Sequence, residues 1–344
     1  MGIKPEIGEK NKKTLNKSLR KANLSKNDDF YTQLSDIEKE LKNYKNHFKD
    51  KTVFCNCDDP RVSNFFHYFS YNFEQLGLKK LITTCYKSQN MELFSEQKSE
   101  KAIYLEYTGS KSQNSIPSPA EIGIKHLKGN GDFRSQECIE LLKQSDIVVT
   151  NPPFSLFREY VAQLIEYHKH FIILGQQNAI SYKEIFKLIK DNKIWLGVDN
   201  NGTKWFQVPD NYEITTESRK KIENGKKFFS MGSIVWFTNL DIKKRHEDLI
   251  LYKTYAGNEK EYPKYDHYDA INVDKVTDIP QDYKEAMGVP VTFLDKYNPN
   301  QFEILDGIGR YSMLTGPTPK TKGTYLTKIK GSPKFARIII KKKA

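Results

Sequence analysis

Between residues 34 and 48 apolar positions recur at three- and four-residue steps. Leu34, Ile37, Leu41, Tyr44 and Phe48 share one face, which predicts an amphipathic helix. Residues 52–57 read as a strand. Ser63 is placed to cap a helix whose Phe65, Phe66, Phe69, Phe73 and Leu76 face inward, with Gly77 to stop it. Residues 81–85 and 103–107 are further strand candidates, followed by a long Gly-, Ser-, Pro- and Asn-containing loop over 109–131. Ser135 starts a short helix ending near Gln144. The β-branched run 146–150 then reads as a strand that stops at Asn151-Pro152-Pro153, a helix begins at Ser155, and 171–174 is a strand again.

Strands alternating with helices of this length imply an α/β fold, a mostly parallel sheet with helices on both faces. Ligands of such sheets bind at the carboxyl ends of the strands. The two main polar clusters, 56–60 and 151–154, fall at or just after strand ends. After about residue 190 the pattern changes. Residues 193–198 and 233–238 look like strands, and the chain from 241 on is rich in Lys, Tyr, Asp and Pro. The expected division is a basic flexible arm over 1–24, a catalytic unit over 25–240 and an added module over 241–344.

Length changes this picture little: 344 residues suffice for one large α/β domain with an appendage. The formal net charge of +12 suits a polyanionic partner. Lysine is spread along the whole chain, however, so charge alone does not separate nucleic-acid binding from a lysine-rich background. Cys55, Cys57, Cys85 and Cys138 show no metal-ligand spacing and read as reduced thiols, so no metal is expected. No apolar run approaches the ~20 residues that span a bilayer, and the N-terminus is polar and basic. A cytoplasmic protein without membrane association is expected.

The most informative stretch is 146–154, Asp-Ile-Val-Val-Thr-Asn-Pro-Pro-Phe. Pro152 pushes Asn151 into an extended conformation, and two fixed φ angles stiffen the loop. The side-chain oxygen of Asn151 and the carbonyl of Pro152 form a pair of acceptors suited to the hydrogens of one planar amine, with Phe154 to stack on its ring. A proline pair closing a strand is the plain alternative. A tetrapeptide of this type occurs by chance in roughly one or two chains per hundred of this length, and its placement after a buried strand narrows that further. Two segments fall where an amine-modifying site needs them: 27–32, Asn-Asp-Asp-Phe-Tyr-Thr, before the first strand, and Gly131-Asp132-Phe133 before the strand at 146–150.

With these residues in place the chain resembles the EcoRI-type family of adenine-specific DNA methyltransferases. Besides Asn151-Pro152-Pro153-Phe154, the stretches 26–38, 53–63 and 287–299 are similar to that family, and the similarity runs from about residue 20 to the end. The resemblance implies a Rossmann-like S-adenosylmethionine-dependent methyltransferase sheet with a C-terminal target-recognition region. It implies N6 methylation of an adenine flipped from double-stranded DNA, with S-adenosylmethionine as cofactor. It places Phe30, Tyr31 and Thr32 at the methionine part of the cofactor and Asn56, Asp58, Asp59 and Pro60 in the cofactor loop. Asp132 and Phe133 fall at the cofactor's adenine, and Asn151, Pro152, Pro153 and Phe154 in the catalytic loop. Positioning and preorganised dipoles then supply most of the catalysis.

Two departures from the common methyltransferase pattern stand out. The loop after the first strand lacks a glycine-rich turn, and the second strand ends Thr83-Thr84-Cys85-Tyr86 without an acidic residue for the ribose. Base reading is expected from the C-terminal region, and Trp236 or Phe237 is a candidate for the flipped-base pocket beside an ordinary core role. A single chain carries every element, so a monomer is sufficient. Rival readings are amino methylation of cytosine N4, RNA or a protein amide, and a catalytically silent DNA-binding protein that keeps the fold.

Overall fold

Eight strands make the central sheet, and their burial follows from their composition. In chain order they are β1 (Thr52–Cys55), β2 (Lys80–Thr84), β3 (Ile103–Tyr107), β4 (Lys125–His126), β5 (Ile147–Thr150), β6 (His170–Gln176), β7 (Trp195–Leu196) and β8 (Ile234–Thr238). Their order across the sheet is β4-β3-β2-β1-β5-β6-β8-β7. The structure, a computed structural model, describes residues 31–86, 102–109, 118–208, 210, 212–311 and 326–343. The arm expected over 1–24 lies outside the described residues.

β2, β1, β5 and β6 run parallel, in register Val53 with Leu81 and Ile147, and Val148 with Phe171. Both edges turn antiparallel: β3 on β2, β4 on β3, β8 on β6 and β7 on β8. The sheet is therefore mixed, with its parallel strands at the centre, where both faces are covered.

Side-chain alternation divides the core into two layers. Val53, Cys55, Leu81, Ile147, Val149, Leu174 and Trp236 face helix α1 (Leu34–Leu41), helix α2 (Asn64–Tyr71) and the aromatic side chains of Phe48 and Phe73. Phe54, Ile82, Val148, Phe171, Ile173 and Phe237 face α3 (Gln136–Gln144), α4 (Phe157–Glu166) and α5 (Lys183–Lys190). The predicted caps are in place: Ser63 Oγ accepts from Phe65 N and Phe66 N, and Ser135 Oγ from Cys138 N. Two predicted helices are interrupted. Asn43 and Asn72 both turn their side-chain amides back onto carbonyls three or four residues earlier, which competes with helix propagation. Gly77 closes the second in the left-handed region at φ 62°.

Beyond β8 the chain builds a second sheet of four strands, in the order Ile271–Asn272, Met287–Val289, Arg337–Lys342, Phe302–Ile308. One face, with Met287, Val289, Ile338 and Ile340, packs into the same apolar cluster as α3, α4 and α5. The other holds Ile339 and Ile308 against Tyr265 and Ile329. A third, small sheet pairs Tyr31–Thr32 with Phe206–Val208, and that strand with Lys226–Phe229. The chain between β7 and this sheet is held by Glu40 of α1, fully buried, whose carboxylate accepts from Val198 N, Asp199 N and the Tyr44 hydroxyl. A buried carboxylate is tolerated when so satisfied; burial still pushes its pKa up.

Candidate active site

β1 lies between β2 and β5, which leave it on opposite sides, so a crevice opens at the carboxyl ends of these strands. The two polar clusters singled out in the sequence meet there. The loop after β1 carries Asn56, Asp58, Asp59 and Pro60, all buried. Asp58 joins three elements: its amide donates to the Thr84 carbonyl at the end of β2 (2.9 Å), and its carboxylate accepts from Ser63 Oγ (2.9 Å) and from Thr150 Oγ1 at the end of β5 (2.5 Å). The loop after β1 and the segment leading into Asn151 are thus one hydrogen-bonded unit.

Asp59 is spent differently. Both its oxygens accept from the Arg61 guanidinium, at 2.9 and 2.6 Å, which offsets its charge and closes the turn into α2. Burial pushes the Asp58 carboxyl up to about 7, against the opposing pull of the Thr150 and Ser63 hydroxyls. An unfolded aspartate titrates near ~3.9, so between about pH 4 and 7 the folded chain binds the extra proton. The associated stability is complete below that window and is lost as pH rises through it. Replacing Asp58 by Asn removes this dependence. In urea unfolding from pH 5 to 8, the stability of wild type relative to Asp58→Asn is expected to fall by about 2–4 kcal/mol. A pH-independent difference would assign the carboxyl an ordinary pKa.

Asp132 and Phe133 reach the same crevice from another direction. Gly131, at φ +76°, lies so close to the chain after β2 that a Cβ there would sit 2.3 Å from the Cys85 carbonyl oxygen. Phe133, 4% exposed, meets the edge of Tyr160 at 5.0 Å between centroids and has the Arg134 guanidinium 5.2 Å from its ring, so little of it is open. The Asp132 carboxylate accepts from Arg134 at 2.9 and 2.7 Å, and this hydrogen-bonded pairing holds its pKa down. Tyr160 of α4, which sequence reading passed over, links the two loops: its hydroxyl donates to Asn56 Oδ1. Burial raises the phenol well above its usual range, so it stays a donor. Its only sequence signal was its place on the inward face of the helix after Phe154.

Asn151 is half-buried with its Oδ1 shielded from solvent, Pro152 is buried, and Pro153 accepts from Leu156 N at 3.0 Å to start a 3-10 turn, Phe154–Leu156. Phe154 is half-buried against the cluster of α1 and α2. Tyr31 and Thr32 stand beside α2, because Asn64 Nδ2 donates to the Thr32 carbonyl at 2.7 Å. Tyr31, Val62, Asn64, His67, Gln207 and Lys226 line a cleft of about 400 Å³ next to this junction. Phe30 lies outside the described residues. Trp236 and Phe237 are fully buried in opposite core layers, which is the ordinary role for core aromatics. Cys55, Cys85 and Cys138 are buried free thiols and Cys57 a half-buried one.

Two buried polar atoms at this junction, Asn56 Nδ2 and Thr32 Oγ1, have no hydrogen-bond partner among the described residues. Leaving such groups unpaired costs about 1–3 kcal/mol each, so they fit a ligand rich in polar groups. Gly131 packs directly on the Cys85 carbonyl and Ala102, which fixes where the chain enters Asp132 and Phe133. No helix of the described residues is long and apolar enough to cross a membrane.

The family model for the adenine-specific methyltransferase EcoRI matches residues 18–343. The chain is 54% identical to the type II methyltransferase M.EcoRI of Escherichia coli over 291 residues, 84% of this chain and 89% of that protein. It is 41% identical to the type II methyltransferase M.MgeORF184P of Mycoplasma genitalium over 94% of this chain and 98% of that one. For the type II methyltransferase M.MpnI of Mycoplasma pneumoniae the identity is 39%, over 94% and 97%. No solved structure matches the chain.

Proposed function

The chain belongs to the EcoRI family of adenine-specific methyltransferases, and we propose that it methylates N6 of an adenine turned out of duplex DNA at the crevice between β1 and β5. It is a type II DNA adenine methyltransferase that uses S-adenosylmethionine. The observation that carries the assignment of residues is the Asp58–Thr150 hydrogen bond, which locks the loop of Asn56–Pro60 to the strand that presents Asn151.

S-adenosylmethionine supplies an activated methyl group on a sulfonium centre. Tyr31 and Thr32, the loop of Asn56, Asp58, Asp59 and Pro60, and Asp132 with Phe133 would hold it. Tyr160 orients the Asn56 amide so that Nδ2 is left to donate. Across the crevice, Asn151 Oδ1 and the Pro152 carbonyl accept the two hydrogens of the target amine. That favours a tetrahedral nitrogen, whose lone pair is otherwise delocalised into the ring. Pro153 stiffens the loop and Phe154 offers the exposed part of its ring to the base. Extruding the base costs a few kcal/mol, which the stacking and hydrogen bonds offset. Residues 241–344 supply base reading, and one chain is a sufficient unit.

The test separates the two loops. Asn56→Ala is expected to weaken S-adenosylhomocysteine binding about tenfold or more in calorimetric titration and to raise the KM for S-adenosylmethionine, with the KM for DNA unchanged. If instead the DNA term moves and the cofactor term does not, the loop after β1 belongs to the other substrate.

A further inference from the structure

Between Phe206–Val208 and β8 the chain makes a feature that neither the catalytic loop nor the cofactor loop uses. Lys220–Glu223 pairs antiparallel with Lys226–Phe229 across a two-residue turn, Asn224 at φ 49° and Gly225 at φ 73°. Both positive φ angles suit the tight turn of a regular β-ribbon. Its root is firm: Phe228 is buried, Lys226–Phe229 is hydrogen-bonded to Phe206–Val208, and Lys227 Nζ donates to the carbonyls of Asp210 and Tyr212 at 3.0 and 2.6 Å. Its tip is bare, with every residue from 221 to 226 exposed.

Three properties of this ribbon call for a partner. The first is position. It rises from the sheet that contains Tyr31 and Thr32, and the chain leaves it to enter β8 at Ile234, opposite Gln176 at the carboxyl end of β6. It therefore stands at the rim of the catalytic crevice. The second is charge. Arg219, Lys220, Lys221, Lys226 and Lys227 outnumber Glu217 and Glu223, and the ion pairs of these two acids with Lys220 and Lys221 are exposed and weak. Lys220 and Lys227 lie on one face and Lys221 and Lys226 on the other, by strand alternation. The third is Ile222, 66% exposed beside the turn, a large β-branched side chain that the fold does not use.

A two-stranded ribbon has the width of the DNA major groove. One that bears cations on both faces meets a phosphate wall on each side. We propose that residues 219–229 form a DNA-contacting ribbon that enters the major groove beside the target adenine, with lysines on the phosphates and Ile222 against base edges. The proposal rests on the DNA-methylating crevice described above. It adds a contact element outside the C-terminal region from which base reading was expected.

Lys220→Ala/Lys221→Ala and Ile222→Ser test it, all at partly or fully exposed positions. A fluorescein-labelled duplex titrated over a range of salt concentrations, with S-adenosylhomocysteine present, reads the phosphate contacts. The double variant is expected to make the plot of log Kd against log salt shallower by about 2, since each phosphate contact contributes roughly 0.9. It should also raise the KM for unmethylated plasmid DNA about tenfold, with S-adenosylhomocysteine affinity and kcat at saturating DNA within about twofold of wild type. Ile222→Ser should keep the salt slope and raise the same KM. An unchanged slope and KM in both variants, with the wild type still methylating the plasmid, would overturn the ribbon and leave the crevice assignment standing. Failure of the wild type to methylate would instead remove the crevice reading on which the ribbon rests.

Discussion

Replacing Asn151 by Ala is expected to lower kcat for methyl transfer to duplex DNA by about 10²–10³-fold, with S-adenosylhomocysteine affinity within about twofold of wild type. The magnitude follows from where the acceptor sits. Asn151 leaves β5 at a point fixed from both sides, by the Thr150–Asp58 hydrogen bond before it and by two prolines after it. Its Oδ1 is shielded from bulk water, which therefore does not compete for it. An acceptor of this kind acts on the nitrogen as it changes from planar to tetrahedral, so its loss falls on turnover more than on binding. Asn151→Asp keeps an acceptor in place and should retain more activity than Asn151→Ala. Labelled methyl transfer with analysis of the product nucleosides reads both. Near-normal turnover by the alanine variant would show that the loop only closes a strand.

The second large effect is expected from the smallest substitution, Gly131→Ala. A left-handed φ costs an alanine about 1–2 kcal/mol, and here the added methyl would also meet the Cys85 carbonyl oxygen at 2.3 Å and Ala102 Cβ at 2.9 Å. The first of these contacts is backbone against carbon, which no rotamer change relieves. The segment 131–133 must move as a body. A loss of about 2–4 kcal/mol in unfolding free energy is expected, together with at least tenfold weaker S-adenosylhomocysteine binding as Asp132 and Phe133 shift. Urea unfolding and calorimetric titration check the two parts. Unchanged stability would mean that the approach of 131 to the chain after β2 is not a real constraint.

What was legible in the sequence was local. Ser63 and Ser135 announce helix starts because capping is a matter of three neighbouring residues, and Asn151-Pro-Pro-Phe announces a rigid strand end for the same reason. Strand direction is not local: nothing in β3, β7 or β8 marks an antiparallel strand, and β4 falls within 109–131, read from the sequence as a loop, because antiparallel neighbours need no crossover helix to betray them. Tyr160 and Asn56 are 104 residues apart, and the pairing of Tyr31 with Gln207 is more distant still. The adjacent acids Asp58 and Asp59 were indistinguishable in the sequence. The fold gives one to two hydroxyls and the other to an arginine. Helix α5 is a different case, since Ile185, Phe186 and Ile189 carry a plain helical period that the sequence reading passed over.

The second sheet shares its apolar interior with the layer beneath the central one: Ile338 and Ile340 belong to the same cluster as Phe157, Ile185 and Phe237. The second sheet is therefore not a cassette that can be exchanged by cutting a linker, because the inner face of any replacement would have to match side chains that also support the central sheet.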